Sequence, residues 1–223
     1  TVLMSKVKTT FICNNCGTNF PKWQGQCTSC KSWNSISEEV ILKTKSNSWE
    51  TETVKSIKSS TPQKISNIVY KEEDRLVTSD TEFNRVLGGG IVPGSLTLLG
   101  GEPGIGKSTL LLQIAIRLPY STLYVSGEES QSQIKMRANR MNHESDDCYV
   151  LTEINLESIF KQIQKTEPQI LIIDSIQTLK TELVDSAPGS VSQIKTCTSE
   201  LINFAKKTST PVITVSYTHL TLP

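Results

Sequence analysis

No run of eighteen apolar residues occurs anywhere in the 223-residue chain, so the sequence predicts no membrane-spanning helix. The opening residues, TVLMSKVKTT, lack the apolar stretch of a secretory signal, and a cytoplasmic location is the expectation. Met4 reads as the natural start, with the three residues before it as an extension. No internal repeat appears. The length suits one medium domain plus a small appendage. An arginine-rich lid is also missing, since Arg137 and Arg140 are the only close pair; that argues against a small-molecule kinase. Overall charge is nearly absent, at +1. The small total hides a split. Residues 1–71 hold ten lysines against four acids, and the remainder holds thirteen basic against eighteen acidic residues. A basic front end suits a polyanion partner and equally suits a solvated tail.

Six cysteines are present, and four form a cluster: Cys13-x2-Cys16-x10-Cys27-x2-Cys30. Two such knuckles have zinc-ribbon spacing, and four thiolates complete a tetrahedral zinc shell with no open position. The expected role is therefore structural. A redox pair is the rival, but neither CxxC lies in a βαβ pattern, and a disulfide suits a cytosolic chain poorly. Phe11, Phe20, Trp23 and Trp33 surround the knuckles. They read as the small core of the unit, with a base-stacking surface as the alternative. Cys148 and Cys197 stand in apolar segments and read as buried small residues.

Four units follow from composition and pattern: a four-cysteine finger over 1–40, a flexible basic linker over 41–67, an α/β core over 68–216, and a tail over 217–223. The linker is rich in Ser, Thr and Lys and can bury little apolar surface. In the core, short apolar runs at 95–100, 121–127, 148–151, 169–174 and 211–216 read as strands. Helical periodicity marks 108–118, 130–141, 155–165 and 190–207. Alternating strands and helices predict an α/β fold with a parallel sheet covered on both faces.

The chemistry concentrates in GGEPGIGKST. Gly101, Glu102, Pro103, Gly104, Ile105, Gly106, Lys107, Ser108 and Thr109 form a complete P-loop between a strand and a helix. Its glycines let backbone N–H groups cradle ATP phosphates at a helix N-terminus. Lys107 is placed for the β/γ-phosphates and the Ser108 hydroxyl for Mg²⁺. Asp174 ends the apolar run ILIID, where a carboxylate can face the crevice and share that Mg²⁺; helix capping is the competing role. Glu128 and Glu129, in VSGEES, sit where a base could orient the attacking water. Spacing alone leaves that role level with two acids at a helix start.

Five segments carry a family resemblance in order: FICNNCGTNFPKWQGQCTSCKSWNSISEEV, LGGGIVPGSLTLLGGEPGIGKSTLLLQIA, LYVSGEESQSQIKMRANRM, ILIIDSIQTL and APGSVSQIK. Together they resemble the RadA (Sms) family of bacterial DNA repair and recombination proteins, from about residue 11 to 215. The resemblance implies a RecA-type ATPase core that assembles as a homo-hexameric ring on single-stranded and branched DNA. It also implies branch migration in homologous recombination, with RecA as partner. By position it makes Lys107 and Ser108 the Walker A pair, Asp174 the Walker B acid and Glu128 the water-activating glutamate, with Glu129 as understudy. Residues 186–195 match a mobile DNA-contacting loop. Lys195 is the fixed positive charge there, open to a phosphate contact or to a plain solvent-facing role.

The resemblance fails at SYTHLTLP. The family continues there with further strands, a KNRFG motif and a Lon-protease-like domain. The expectation is a C-terminally truncated fragment whose residues 217–223 are not native, so His219 carries no catalytic weight. The expected function is a DNA-dependent ATPase using ATP, Mg²⁺ and Zn²⁺. The alternative is an ATP-binding switch whose finger docks a protein without DNA.

Overall fold

The computed structural model describes residues 8–41, 62, 64–67, 75–143 and 145–217. The expected linker lies largely outside these residues, and so do residues 218–223.

The N-terminal unit is a three-stranded antiparallel sheet. Its strands are β1 (Lys8–Cys13), β2 (Asn19–Phe20) and β3 (Ile36–Ile41), in the order β2-β1-β3. Ile12, Phe20 and Ile36 close around the buried Cys13 and Cys27. Phe11 packs against this cluster, but Trp23 and Trp33 do not join it and are 60 % and 71 % exposed. The core reading of the aromatics therefore holds for the phenylalanines and fails for the tryptophans. Three aliphatic and aromatic side chains plus the cysteines already fill so small an interior.

The larger unit begins with α1 (Thr81–Val86), a six-residue helix capped by the Asp80 carboxylate. The sequence pattern did not announce it, because six residues are too few to show a period. Then follow β4 (Leu96–Gly101), α2 (Lys107–Arg117), β5 (Thr122–Ser126), α3 (Gln131–Asn139), β6 (Cys148–Thr152), α4 (Leu156–Thr166), β7 (Ile170–Asp174), α5 (Val191–Thr208) and β8 (Val212–Tyr217). Every expected strand and helix forms, within about two residues of its expected ends. Tyr217, assigned to the tail, instead completes β8 opposite Gly101.

All five core strands run parallel, in the order β4-β8-β7-β5-β6. Parallel neighbours need crossover connections, so helices must cover both faces. On one face Ile170 and Ile172 of β7 pack with Leu111, Leu112 and Ile114 of α2 and with Ile134 of α3. On the other, Leu171 and Ile173 meet Ile159 and Phe160 of α4 and Leu201 and Phe204 of α5. The alternation along one strand explains the unbroken apolar run: both of its faces are buried. Local signals set the helix ends. Ser130 and Gln133 form a reciprocal capping box on α3, and Asn155 and Ser190 cap α4 and α5.

Candidate nucleotide site and metal centre

The register of the sheet assembles the site. β5 and β7 are neighbours, with Ser126 opposite Asp174 at their C-terminal ends. Glu128 follows β5 and the P-loop follows β4, so three separate segments meet at one sheet edge, where open α/β sheets bind ligands. In the loop, Gly104 and Gly106 adopt φ of 81° and 95°, a region costly for a residue with a Cβ. A Cβ at either would meet nothing within 4 Å. Backbone conformation, and not crowding by the protein, thus requires these glycines. Residues 102–106 are exposed and lead into the N-terminus of α2.

Lys107 is only 6 % exposed and its ammonium folds back over its own loop. It donates to the Gly101 carbonyl at 2.7 Å and to the Glu102 carbonyl at 2.6 Å. Ser108 Oγ donates to Asp174 Oδ1 at 3.0 Å, which joins the two expected magnesium-holding side chains directly. Asp174 is 5 % exposed, and its second oxygen accepts from Tyr124 OH at 2.6 Å. A buried carboxylate oxygen left without a donor would be costly, and both oxygens here have one. Burial, reinforced by the Asp174 charge, pushes the Tyr124 phenol far above its ordinary range, so it stays a neutral donor.

The two glutamates separate. Glu129 is ion-paired to Arg137 Nη2 at 2.8 Å, and that guanidinium also donates to Tyr124 OH at 3.2 Å. Glu128 faces the other way and accepts from Ser175 Oγ, next to Asp174, at 3.3 Å. Of the two, Glu128 therefore shares the edge with Asp174, while Glu129 is held against α3. Tyr124, Arg137 and Ser175 are site residues that the sequence did not disclose. Tyr124 and Asp174 are 50 positions apart, and only strand pairing joins them. Gly127 fits because Thr178 stands directly over it, and a Cβ there would collide with that side chain.

The four cysteine sulfurs lie within 4.8 Å of one another. Cys13 Sγ is 3.6 Å from Cys30 Sγ, and Cys16 Sγ is 3.5 Å from Cys27 Sγ. Tetrahedral zinc with bonds of about 2.3 Å holds its sulfurs roughly 3.8 Å apart, so the cluster fits that ion. The two knuckles repeat each other. Gly17 N–H donates to Cys13 O and Lys31 N–H to Cys27 O, with φ of 71° and 63° at the donors. Hydrogen bonds with the Ser32 side chain and backbone bring the Cys30 thiol down to about 5, while Cys27 in the same cluster stands up at about 11.

Residues 186–195 include the N-terminus of α5. Gln193 is buried and pins the preceding segment, donating to the carbonyls of Thr181, Val184 and Ser186 and accepting from Thr181 N–H. Lys195 is exposed, and its ammonium reaches the Gly17 carbonyl of the finger at 3.3 Å. Cys197 is buried and Cys148 half-buried.

This geometry agrees with what the chain is similar to. Residues 60–219 match the family described as AAA domain, and residues 11–38 match a rubredoxin metal binding domain. The DNA repair protein RadA of Bacillus subtilis is 46 % identical over 222 residues, covering 96 % of this chain and 47 % of the relative. The chain belongs to the AAA domain family. DNA repair protein RadA of Chlamydia muridarum is 47 % identical over 91 % of the chain and 44 % of the relative. That of Pseudomonas aeruginosa is 40 % identical over 96 % and 47 %. The chain thus spans about half the length of the curated relatives it matches. Among solved structures, the flagellar accessory protein FlaH of Methanocaldococcus jannaschii aligns with a TM-score of 0.50 at 20 % identity, over 68 % of this chain and 73 % of that one. That likeness shows the α/β fold alone; the four-cysteine finger rests on the match of residues 11–38.

Proposed function

We propose that the chain is the nucleotide-binding part of a DNA-dependent ATPase of DNA repair and homologous recombination. The observation that carries the reading is the meeting of Lys107, Ser108, Asp174 and Glu128 at one sheet edge. Four side chains from three segments converge there, which a plain glycine turn does not require.

Loop amides of residues 104–109 and the α2 N-terminus would receive the ATP phosphates. Lys107 would exchange its two carbonyl partners for phosphate oxygens. Ser108 and Asp174 would hold Mg²⁺, which neutralises charge developing on the phosphates. Tyr124 fixes Asp174 so that Oδ1 faces Ser108. Glu128 would orient and deprotonate the water. The cysteine cluster would hold a structural zinc and take no part in turnover.

RadA relatives support DNA as the partner, with branched and single-stranded DNA, RecA and a homo-hexameric ring as the finer expectations. The test is ATP hydrolysis by the full-length protein with and without single-stranded DNA. Stimulation that weakens with salt supports the reading. An identical rate with and without DNA would instead favour an ATP-binding switch that docks a protein.

A further inference from the structure

Two tryptophans on the finger serve no structural purpose that the fold reveals. Trp23 and Trp33 are the most exposed aromatics among the described residues, at 60 % and 71 %. The finger's interior is closed without them by Ile12, Phe20, Ile36 and the cysteines. They are nevertheless held together. Gln26 bridges to Trp33 in antiparallel fashion, and Asn34 N–H donates to Gly25 O at 2.9 Å. A Cβ on Gly25 would lie 3.8 Å from Cη2 of Trp23 and 3.9 Å from Cζ3 of Trp33. The two indole tips therefore converge over a residue that has no side chain.

The surroundings are cationic. Lys22 and Lys31 are both exposed and flank this surface in sequence, and no acid occurs between Lys8 and Ser37. A zinc tetrathiolate carries a net charge of about −2. Its sulfurs, however, are buried or half-buried, with the hydroxyls of Thr18, Ser32 and Ser35 at 3.1–3.4 Å. The accessible charge here is that of the lysines.

Flat aromatic faces beside ammonium groups match one ligand chemistry: unpaired bases on a phosphate backbone. An apolar protein segment would use the rings but would leave the lysines without partners. A duplex would offer phosphates but keep its bases stacked internally. We infer that the finger is a single-strand binding surface, in which Trp23 and Trp33 stack on unpaired bases and Lys22 and Lys31 contact the adjoining phosphates. The inference rests on the reading of the chain as DNA-acting and supplies that reading with a second contact, made by residues outside the nucleotide site.

The test uses the zinc-loaded 223-residue chain and labelled oligo(dT), followed by fluorescence anisotropy. Trp23→Leu and Trp33→Leu should each weaken binding about tenfold. Trp→Phe at either position should restore most of the loss, because a flat ring returns. An oligonucleotide of the same length without bases should bind wild type as weakly as oligo(dT) binds the double leucine variant, with no further loss in that variant. The salt slope should be unchanged by the leucine substitutions and shallower in Lys22→Ala. Zinc content equal to wild type shows that the finger stays folded in every variant. The abasic comparison needs no substitution at all. Wild-type affinity in the double leucine variant would overturn the inference and leave DNA action by the core standing. Equal binding of oligo(dT) and abasic strand would overturn the stacking. Failure of wild type to bind any strand would overturn both readings.

Discussion

Asp174 is the residue on which the nucleotide site turns. Its two oxygens are assigned to different tasks, Oδ1 to Ser108 and Oδ2 to Tyr124. Removing the phenolic hydroxyl in Tyr124→Phe leaves a buried carboxylate oxygen and the Arg137 guanidinium short of a partner. Arg137 Nε already has no hydrogen-bond partner among the described residues. The expected cost is roughly 1–3 kcal/mol in denaturant unfolding, together with a higher Mg²⁺ requirement for hydrolysis. The glutamates should also separate in kinetics. Glu128→Gln should reduce turnover about a hundredfold or more while nucleotide binding survives. Glu129→Gln should act chiefly through stability, since it removes one end of the Arg137 ion pair. Steady-state kinetics of the two variants in the full-length protein checks this. The lone thiols behave as packing groups. Burial pushes Cys148 up to about 11, and burial with the Glu157 and Glu200 charges pushes Cys197 up to about 12. A raised thiol pKa favours the native state below the unfolded value of 9.0, and that contribution is lost as pH climbs through the folded values. Alkylation near neutral pH should therefore spare both thiols, and they should become reactive only as the pH approaches their raised values.

At the scale of elements, the knuckles illustrate how far spacing alone can carry a reading. Cys-x2-Cys repeated across ten residues specified the ligands, and the structure brings all four together. Cys27→Ser should release zinc and unfold residues 11–38, because metal binding supplies much of such a unit's folding free energy. Metal analysis and thiol counting follow this directly: adding a chelator to wild type should expose four reactive thiols and leave Cys148 and Cys197 protected. Legibility fails where a side chain's direction depends on a partner distant in sequence. The strands and helices of the core were readable because β7 is apolar on both faces and α4 has a one-sided stripe. The exposure of Trp23 and Trp33 was not readable, because an indole suits a core and a binding face equally. The P-loop pattern was legible because a phosphate cradle calls for those residue types in that order, and the structure places the segment between β4 and α2 as the pattern expects. The Tyr124–Asp174 bond was not, since it depends on β5 lying beside β7.

In the whole molecule the finger meets the ATPase unit at the start of α5, a helix on the opposite face of the sheet from α2. Lys195, at the start of α5, touches Gly17 of the first knuckle. An added Cβ on Gly17 would collide with the Lys195 side chain and press on Val191. Finger and core thus meet at the turn that closes the first knuckle. Among the described residues β4 is an edge strand of the core sheet, with β8 as its neighbour. The account as a whole depends on a triphosphate being held at the edge shared by β4, β5 and β7. Equilibrium titration of this chain with a fluorescent ATP analogue, with and without Mg²⁺, tests that most directly. The account predicts saturable binding that needs Mg²⁺ and falls at least about tenfold in Lys107→Ala, where the charge paired with the phosphates is lost. Undiminished binding in that variant, with its fold intact, would contradict it.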